Sequence, residues 1–200
     1  LYATMAEAGY FPKEELKTLR KFGSRLQGHP HREFMPWAET SSGPLGSGLS
    51  QAVGMAITDK IYGGTRTFYA ILSDGEHDEG NIWEAIMFAH KEKLSNLIVI
   101  VDRNNIQIDG NTERIMPLGD LKDKYRTFGW DVYEVNGHDF WDINNAIIKA
   151  ENNKSGPSAI IANTIPGKGV REWENDYHWH GKAPNKKEAE MAIDELNSIK

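Results

Sequence analysis

The sequence contains no cysteine in its 200 residues, which excludes a disulfide framework and any zinc site built on thiolates. That fits a reducing compartment, and the cytoplasm is the expected location. Positive charge is not in excess either: 23 Lys and Arg stand against 29 Asp and Glu, a formal net charge of −6. No basic run is long enough to make a nucleic-acid or anionic-membrane surface. No apolar stretch approaches the ~20 residues that cross a bilayer, and Leu1–Gly9 do not read as a signal peptide. Neither nucleic acid nor membrane is therefore expected as a partner. Leu1-Tyr2-Ala3-Thr4-Met5 reads as mid-helix, so polypeptide upstream of Leu1 is expected.

What the chain does have is 39% hydrophobic residues, enough at this length for one good-sized core. Pro12 and the spacing of Leu16, Leu19 and Phe22 predict a helix over 13–22, stopped at Gly23. Residues 23–44 are rich in glycine, proline and polar groups and read as loop. From Leu45 to Tyr62, small residues alternate with Leu49, Val53 and Ile57, which predicts a helix suited to close approach. Strands at 67–73, 97–101, 131–135 and 158–164 then alternate with helices near 80–93, 120–128 and 139–153. A glycine-rich loop, 166–184, leads to a closing helix near 186–199. Strands alternating with helices, and apolar on both faces, predict an α/β fold: a mostly parallel sheet with helices on both faces. The whole of 1–200 reads as a single domain, with every strand's carboxyl end on one edge, where ligands bind in such sheets.

The strand at 67–73 ends in Ser73-Asp74-Gly75-Glu76-His77-Asp78-Glu79-Gly80. Four carboxylates crowded at a strand end repel one another unless water, a cation or a ligand compensates. An acidic loop is ordinarily just solvated, but the next strand ends in Asp102-Arg103-Asn104-Asn105-Ile106. Residues 76–103, 28 positions, are about what a loop, a helix and a strand use in returning to the same edge. Asp74 and Asn104 are therefore expected to meet. A carboxylate, an amide oxygen and a backbone carbonyl are hard ligands suited to Mg²⁺ or Ca²⁺, and Mg²⁺ prefers few protein ligands together with phosphate oxygens.

Asp74-Gly75 followed by Asn104-Asn105 resembles the thiamine-diphosphate signature, Gly-Asp-Gly, about 25 to 30 residues, Asn-Asn, with Ser73 in place of the first glycine. The segment from Ser42-Gly43-Pro44-Leu45-Gly46 to Met55-Ala56 resembles the loop and helix that lie along the cofactor in transketolases. Gly23-Ser24-Arg25, Gly28-His29-Pro30, Ile108-Asp109-Gly110, Asn136-Gly137-His138-Asp139 and His180-Gly181-Lys182-Ala183-Pro184 stand in the transketolase order. The resemblance covers nearly the whole chain. It implies a thiamine-diphosphate-binding fold in which Asp74, Asn104 and the Ile106 carbonyl ligate Mg²⁺ and Gly75 lets backbone approach the diphosphate. It also implies that Gly43 and Leu45 contact the aminopyrimidine, with Ile165 near the rings, and that Glu79 lies at the contact between the two active-site chains. His29 and His180 match histidines that face a sugar phosphate substrate and act in catalysis. A lone histidine is more often structural, and His31, His77, His90, His138 and His178 have no such match.

Nothing in these residues matches the pyrimidine-binding domain that supplies the family's activating glutamate. The resemblance therefore implies the diphosphate-binding subunit of a split transketolase, completed by a separate C-terminal subunit in an α₂β₂ assembly. Three other readings stand beside it, one of them a catalytically dead scaffold that binds cofactor and regulates a partner, against which the intact Asp74, Asn104 and Glu79 speak. A 1-deoxyxylulose-5-phosphate synthase shares the signature, and a metal-dependent hydrolase could use Asp74, His77, Asp78, His178 and His180 as ligands.

Overall fold

Residues Leu1–Gly48 and those from Leu49 onward pack as two separate units in the computed structural model, which describes Leu1–Ile199. In the first unit a short helix, α1 (Tyr2–Glu7), is followed by a 3₁₀ turn, Lys13–Thr18. The spacing of Leu16, Leu19 and Phe22 predicts an α-helix over 13–22, but the chain leaves helical geometry at Leu19 and turns left-handed at Arg20, φ 58°. The physical reason is the lack of a core to face: Leu19 and Phe22 are exposed, so nothing rewards continuing the apolar stripe. The unit is held instead by Phe11, Leu26, Met35 and Ala38 with Trp37 packed beside them. The Arg25 guanidinium lies 4.4 Å from the Trp37 ring centroid and bonds both Glu15 oxygens, at 2.5 and 2.8 Å.

The second unit is an α/β layer structure. Helix α2 (Ser47–Ile61) is followed by β1 (Phe68–Ser73), α3 (Gly80–Lys91) and β2 (Leu97–Arg103). A small hairpin, β3 (Ile106–Gln107) and β4 (Gly110–Asn111), leads into α4 (Thr112–Ile115) and α5 (Leu121–Thr127). Then come β5 (Asp131–Asn136), α6 (Phe140–Asn152), β6 (Ser158–Asn163) and α7 (Lys186–Ser198). The main sheet runs β1-β2-β6-β5 with every pair parallel. The expected strands and the helices that alternate with them are all present. The hairpin and α4 fall in a stretch whose turn residues hid them.

Crossover handedness decides which helix covers which face. Steps β1 to β2 and β2 to β5 move the same way across the sheet, and their helices α3 and α5 pack with α2 on one face, around Leu72, Val99, Val101 and Ile161. The return from β5 to β6 reverses direction, so a right-handed connection must cross the other face. Helix α6 does so, burying Ala146 and Ala150 against Ile98, Ile160 and Val135. It leaves much of β1 uncovered, with Tyr69 and Ile71 44% and 76% exposed, and touches that strand through Glu151, which accepts from the Tyr69 hydroxyl.

Registry brings Ser73 opposite Asp102 and Arg103 opposite Asn163, so the carboxyl ends form one edge. There the acidic stretch folds into a 3₁₀ turn, Gly75–Asp78. The Ser73 hydroxyl accepts from the Glu76 N–H while Glu76 accepts from the Ser73 N–H. Beneath this turn His77 is buried. Its Nδ1 is 2.9 Å from the Ser73 carbonyl, which can only accept, so that nitrogen carries the proton and Nε2 accepts from the Tyr125 hydroxyl at 2.9 Å.

Burial pushes the His77 imidazole down to about 4, against the opposing pull of hydrogen bonds at Ser73 and Asp74. A buried neutral histidine stabilises the fold fully above its unfolded value near 6.5, and that contribution is lost as pH falls towards 4. Urea denaturation at pH 7.5 and pH 4.5 should show a loss on the order of 3 kcal/mol from this group, and His77→Gln should flatten that slope. A second expectation comes from Asn105, which holds a left-handed φ of 63°, a conformation asparagine tolerates and β-branched residues resist. Asn105→Val should lower the thermal midpoint, at a cost of about 1–2 kcal/mol, while Asn105→Gly should lower it far less.

Candidate functional site

The end of β1 and the turn after β2 meet around one carboxylate. Asp74 has no exposed surface, and its backbone N–H continues the ladder onto the Asp102 carbonyl at 3.1 Å. Its Oδ2 accepts from the Asn105 N–H at 2.7 Å and from Arg103 Nη1 at 2.9 Å, while Oδ1 accepts from the Gly75 N–H at 2.7 Å. Asn105 carries the left-handed φ of 63° right after offering this amide, which gives the second asparagine of the pair a conformational reason to be there.

Asn104 is oriented from both ends. Its Nδ2 donates to Asp102 Oδ2 at 2.9 Å, and its Oδ1 accepts from the Ile106 N–H at 3.0 Å. The other Asp102 oxygen accepts from the Thr164 hydroxyl, so a residue of β2 fixes which way the amide oxygen faces. A Cβ built on Gly75 would lie 3.2 Å from the Gln107 Cβ and 3.7 Å from the Ile106 carbonyl oxygen. Glycine is what lets these two turns approach so closely. Asp74 and Gly75 thus lie against the turn after β2, Asp74 through the Asn105 amide and Gly75 beside Ile106 and Gln107.

The electrostatics suit a cation. Burial raises the Asp74 carboxyl above its usual range even though Asn105, Arg103 and Gly75 all oppose that rise, so this carboxylate is under-compensated by the protein alone. Asp78, at the foot of the same turn, is also raised, by burial and then by Glu79 and Glu113. Burial works against Glu113 as well, yet bonds from Arg103 and from the Gly119 and Leu118 amides hold it below the carboxylate range. The oxygens of Asp74, Asn104 and the Ile106 carbonyl form an all-oxygen donor set, the chemistry that fits Mg²⁺ with a diphosphate. Among the described residues no three His, Cys, Asp or Glu converge to hold a metal, and both His77 ring nitrogens are engaged. The zinc-hydrolase reading loses its ligands.

The other predicted residues occupy separate places. Glu79 stands exposed at the N-terminus of α3 without capping it. Ile165 follows β6, and its N–H donates to His138 Nε2 at 2.7 Å. His138 therefore holds the loop that carries Ile165; its place in the Asn136-Gly137-His138-Asp139 block was the available signal. His180 is exposed at the end of a 3₁₀ turn, Tyr177–Trp179, which lies against β4. In the first unit, Gly43 packs on His29, where a Cβ would come within 3.1 Å of the imidazole, and Leu45 is 55% exposed. Arg103 and Asp102 escaped the sequence reading because nothing in their spacing tells a strand-end charge that organises a neighbour from one that is merely solvated.

Comparison with known proteins bears on this geometry. The family model described as "Transketolase, thiamine diphosphate binding domain" matches residues 1–197. An apulose-4-phosphate transketolase subunit of Phocaeicola vulgatus is 40% identical over 197 residues, 98% of this chain and 70% of that protein. The 6-deoxy-6-sulfo-D-fructose transketolase subunit SqwG of a Clostridium species is 41% identical over 196 residues, 98% of this chain and 71% of that one. Among solved structures, the transketolase of Campylobacter jejuni superposes with a TM-score of 0.85 at 31% identity, covering 92% of this chain. The chain spans only 30% of that enzyme's length. With sequence, fold and the turn around Asp74 in agreement, the chain belongs to the transketolase family, as its thiamine-diphosphate-binding domain.

Proposed function

We propose that this chain is the diphosphate-binding subunit of a Mg²⁺-dependent transketolase that moves a two-carbon ketol unit from a ketose phosphate to an aldose phosphate. A separate pyrimidine-domain subunit completes the site, in an α₂β₂ assembly. The observation that carries this reading is the buried Asp74 carboxylate set against the Asn104–Ile106 turn. Relatives of nearly the same coverage are themselves named as subunits of transketolases, which supports dependence on a partner.

In this reading Asp74, the Asn104 amide oxygen and the Ile106 carbonyl hold Mg²⁺, and Gly75 leaves room for the diphosphate. When bound, thiamine diphosphate supplies the electron sink for carbon–carbon bond cleavage. The protein supplies position and field. Asp102 holds the Asn104 amide through its Nδ2 and would keep it oriented for the ion, and His138 holds the backbone at Ile165, which would receive the cofactor's rings. Gly43 and Leu45 receive the aminopyrimidine. His29 and His180 hydrogen-bond sugar hydroxyls and move protons there, and Glu79 sits at the contact between the two active-site chains. The compartment is proposed to be the cytoplasm.

Calorimetric titration of thiamine diphosphate with Mg²⁺ into wild type and Asp74→Ala tests the reading. The expected outcome is saturable, magnesium-dependent heat in wild type that falls at least tenfold in affinity in the variant, the scale on which such ligands matter. Equal heats from both proteins would remove Asp74 from the site.

A further inference from the structure

His29 stands on a loop that the first unit grips from two sides. On one side the Tyr2 hydroxyl donates to the Gln27 carbonyl at 2.8 Å and the Arg20 N–H donates to the Leu26 carbonyl at 2.8 Å. The Arg20 guanidinium lies 3.0 Å from where a Gly28 Cβ would stand. On the other side runs the segment 41–43. The Ser42 N–H donates to the Pro30 carbonyl at 3.1 Å, and the Ser41 hydroxyl accepts from the Arg32 N–H at 3.1 Å. These two bonds clasp 41–42 onto 30–32 and leave Gly43 facing the His29 side chain.

The contact at Gly43 is made by carbon. A Cβ there would lie 3.1 Å from His29 Cγ, 3.3 Å from Cδ2 and 3.4 Å from Cβ, and neither ring nitrogen is among these nearest atoms. The glycine holds a φ of 135°, a conformation that residues with side chains rarely adopt. The imidazole therefore rests by its carbon edge on bare backbone. His29 is otherwise exposed, and an exposed side chain that must meet a ligand in one direction loses rotamer freedom in doing so. A surface that limits the ring beforehand reduces that loss. We propose that Ser41 is a positioning residue for His29: its hydroxyl, with the neighbouring Ser42 amide, clasps the Gly43 backbone under the imidazole, so that cofactor seated at Gly43 and sugar met by His29 are coupled through one loop. This rests on the reading above that Gly43 receives the aminopyrimidine and His29 the sugar. Ser41 touches neither ligand in this role and works through Gly43 and the His29 loop.

The test follows the His29 imidazole by proton NMR, its signal identified by its loss in His29→Gln, while thiamine diphosphate with Mg²⁺ is titrated into the full chain. In wild type the His29 signal is expected to shift along the same curve as the calorimetric heat. Ser41→Ala removes one exposed acceptor, so it should leave cofactor affinity unchanged and shrink the His29 shift about threefold, the scale on which one neutral hydrogen bond biases an equilibrium. Ser41→Thr keeps the hydroxyl and should restore the shift. His90, whose Nδ1 lies 3.1 Å from the Gly129 carbonyl oxygen, should give the same signal in every variant, whereas a general loosening would move it as well. A His29 shift of full size in Ser41→Ala overturns the role of Ser41 alone, and the absence of any His29 shift at saturation in wild type overturns the coupling. Cofactor binding that Gly43→Ala does not weaken removes the aminopyrimidine from Gly43 and takes this inference with it.

Discussion

A carboxylate with no exposed surface must find inside the protein everything that water would have given it. Asp74 is such a group, and much of the carboxyl edge is arranged around that demand. Strand registry sets Ser73 against Asp102, which brings the turn after β2 within reach. The left-handed Asn105 then offers its amide, and Arg103 offers a cation. Even so, burial outweighs these partners and leaves the carboxyl raised.

The division of labour within the sheet follows from the same edge. β2 and β6 are buried on both faces through most of their length and carry almost only aliphatic residues until their last positions. Polar groups begin at Asp102, Arg103 and Asn163, where the ladder ends and turns take over. The interior fixes distances while the turns supply donors. The chain aligns over 98% of its length, at 40% and 41% identity, with transketolase subunits named for different sugars.

The sequence made the strands legible because their apolar runs were long and their period unambiguous, and it made the approach of Asp74 to the turn after β2 legible because crossover length in a parallel sheet is constrained. It misled over 19–22, where the helical spacing continues past Leu16, which packs on the core, to Leu19 and Phe22, which do not. It was silent on the β3–β4 hairpin, whose two-residue strands are shorter than any pattern. His77 reads as one more polar residue in an acidic loop, yet it is buried under the 3₁₀ turn. Its partner Tyr125 lies 48 residues away, and no local rule pairs them. Arg103 poses the same difficulty: its significance comes from Glu113 and Thr112, which the hairpin folds back towards it.

The bond between His77 and Tyr125 also ties two distant parts of the chain into one mechanical piece. Helix α5 carries no residue assigned to cofactor, ion or sugar, yet its phenol is the only donor to the inner nitrogen of the imidazole beneath the acidic turn among the described residues. Trimming that hydroxyl strands a ring nitrogen in the apolar interior and loosens the floor on which Asp74 rests. Variation in this outlying helix is therefore constrained from within, by a single oxygen atom.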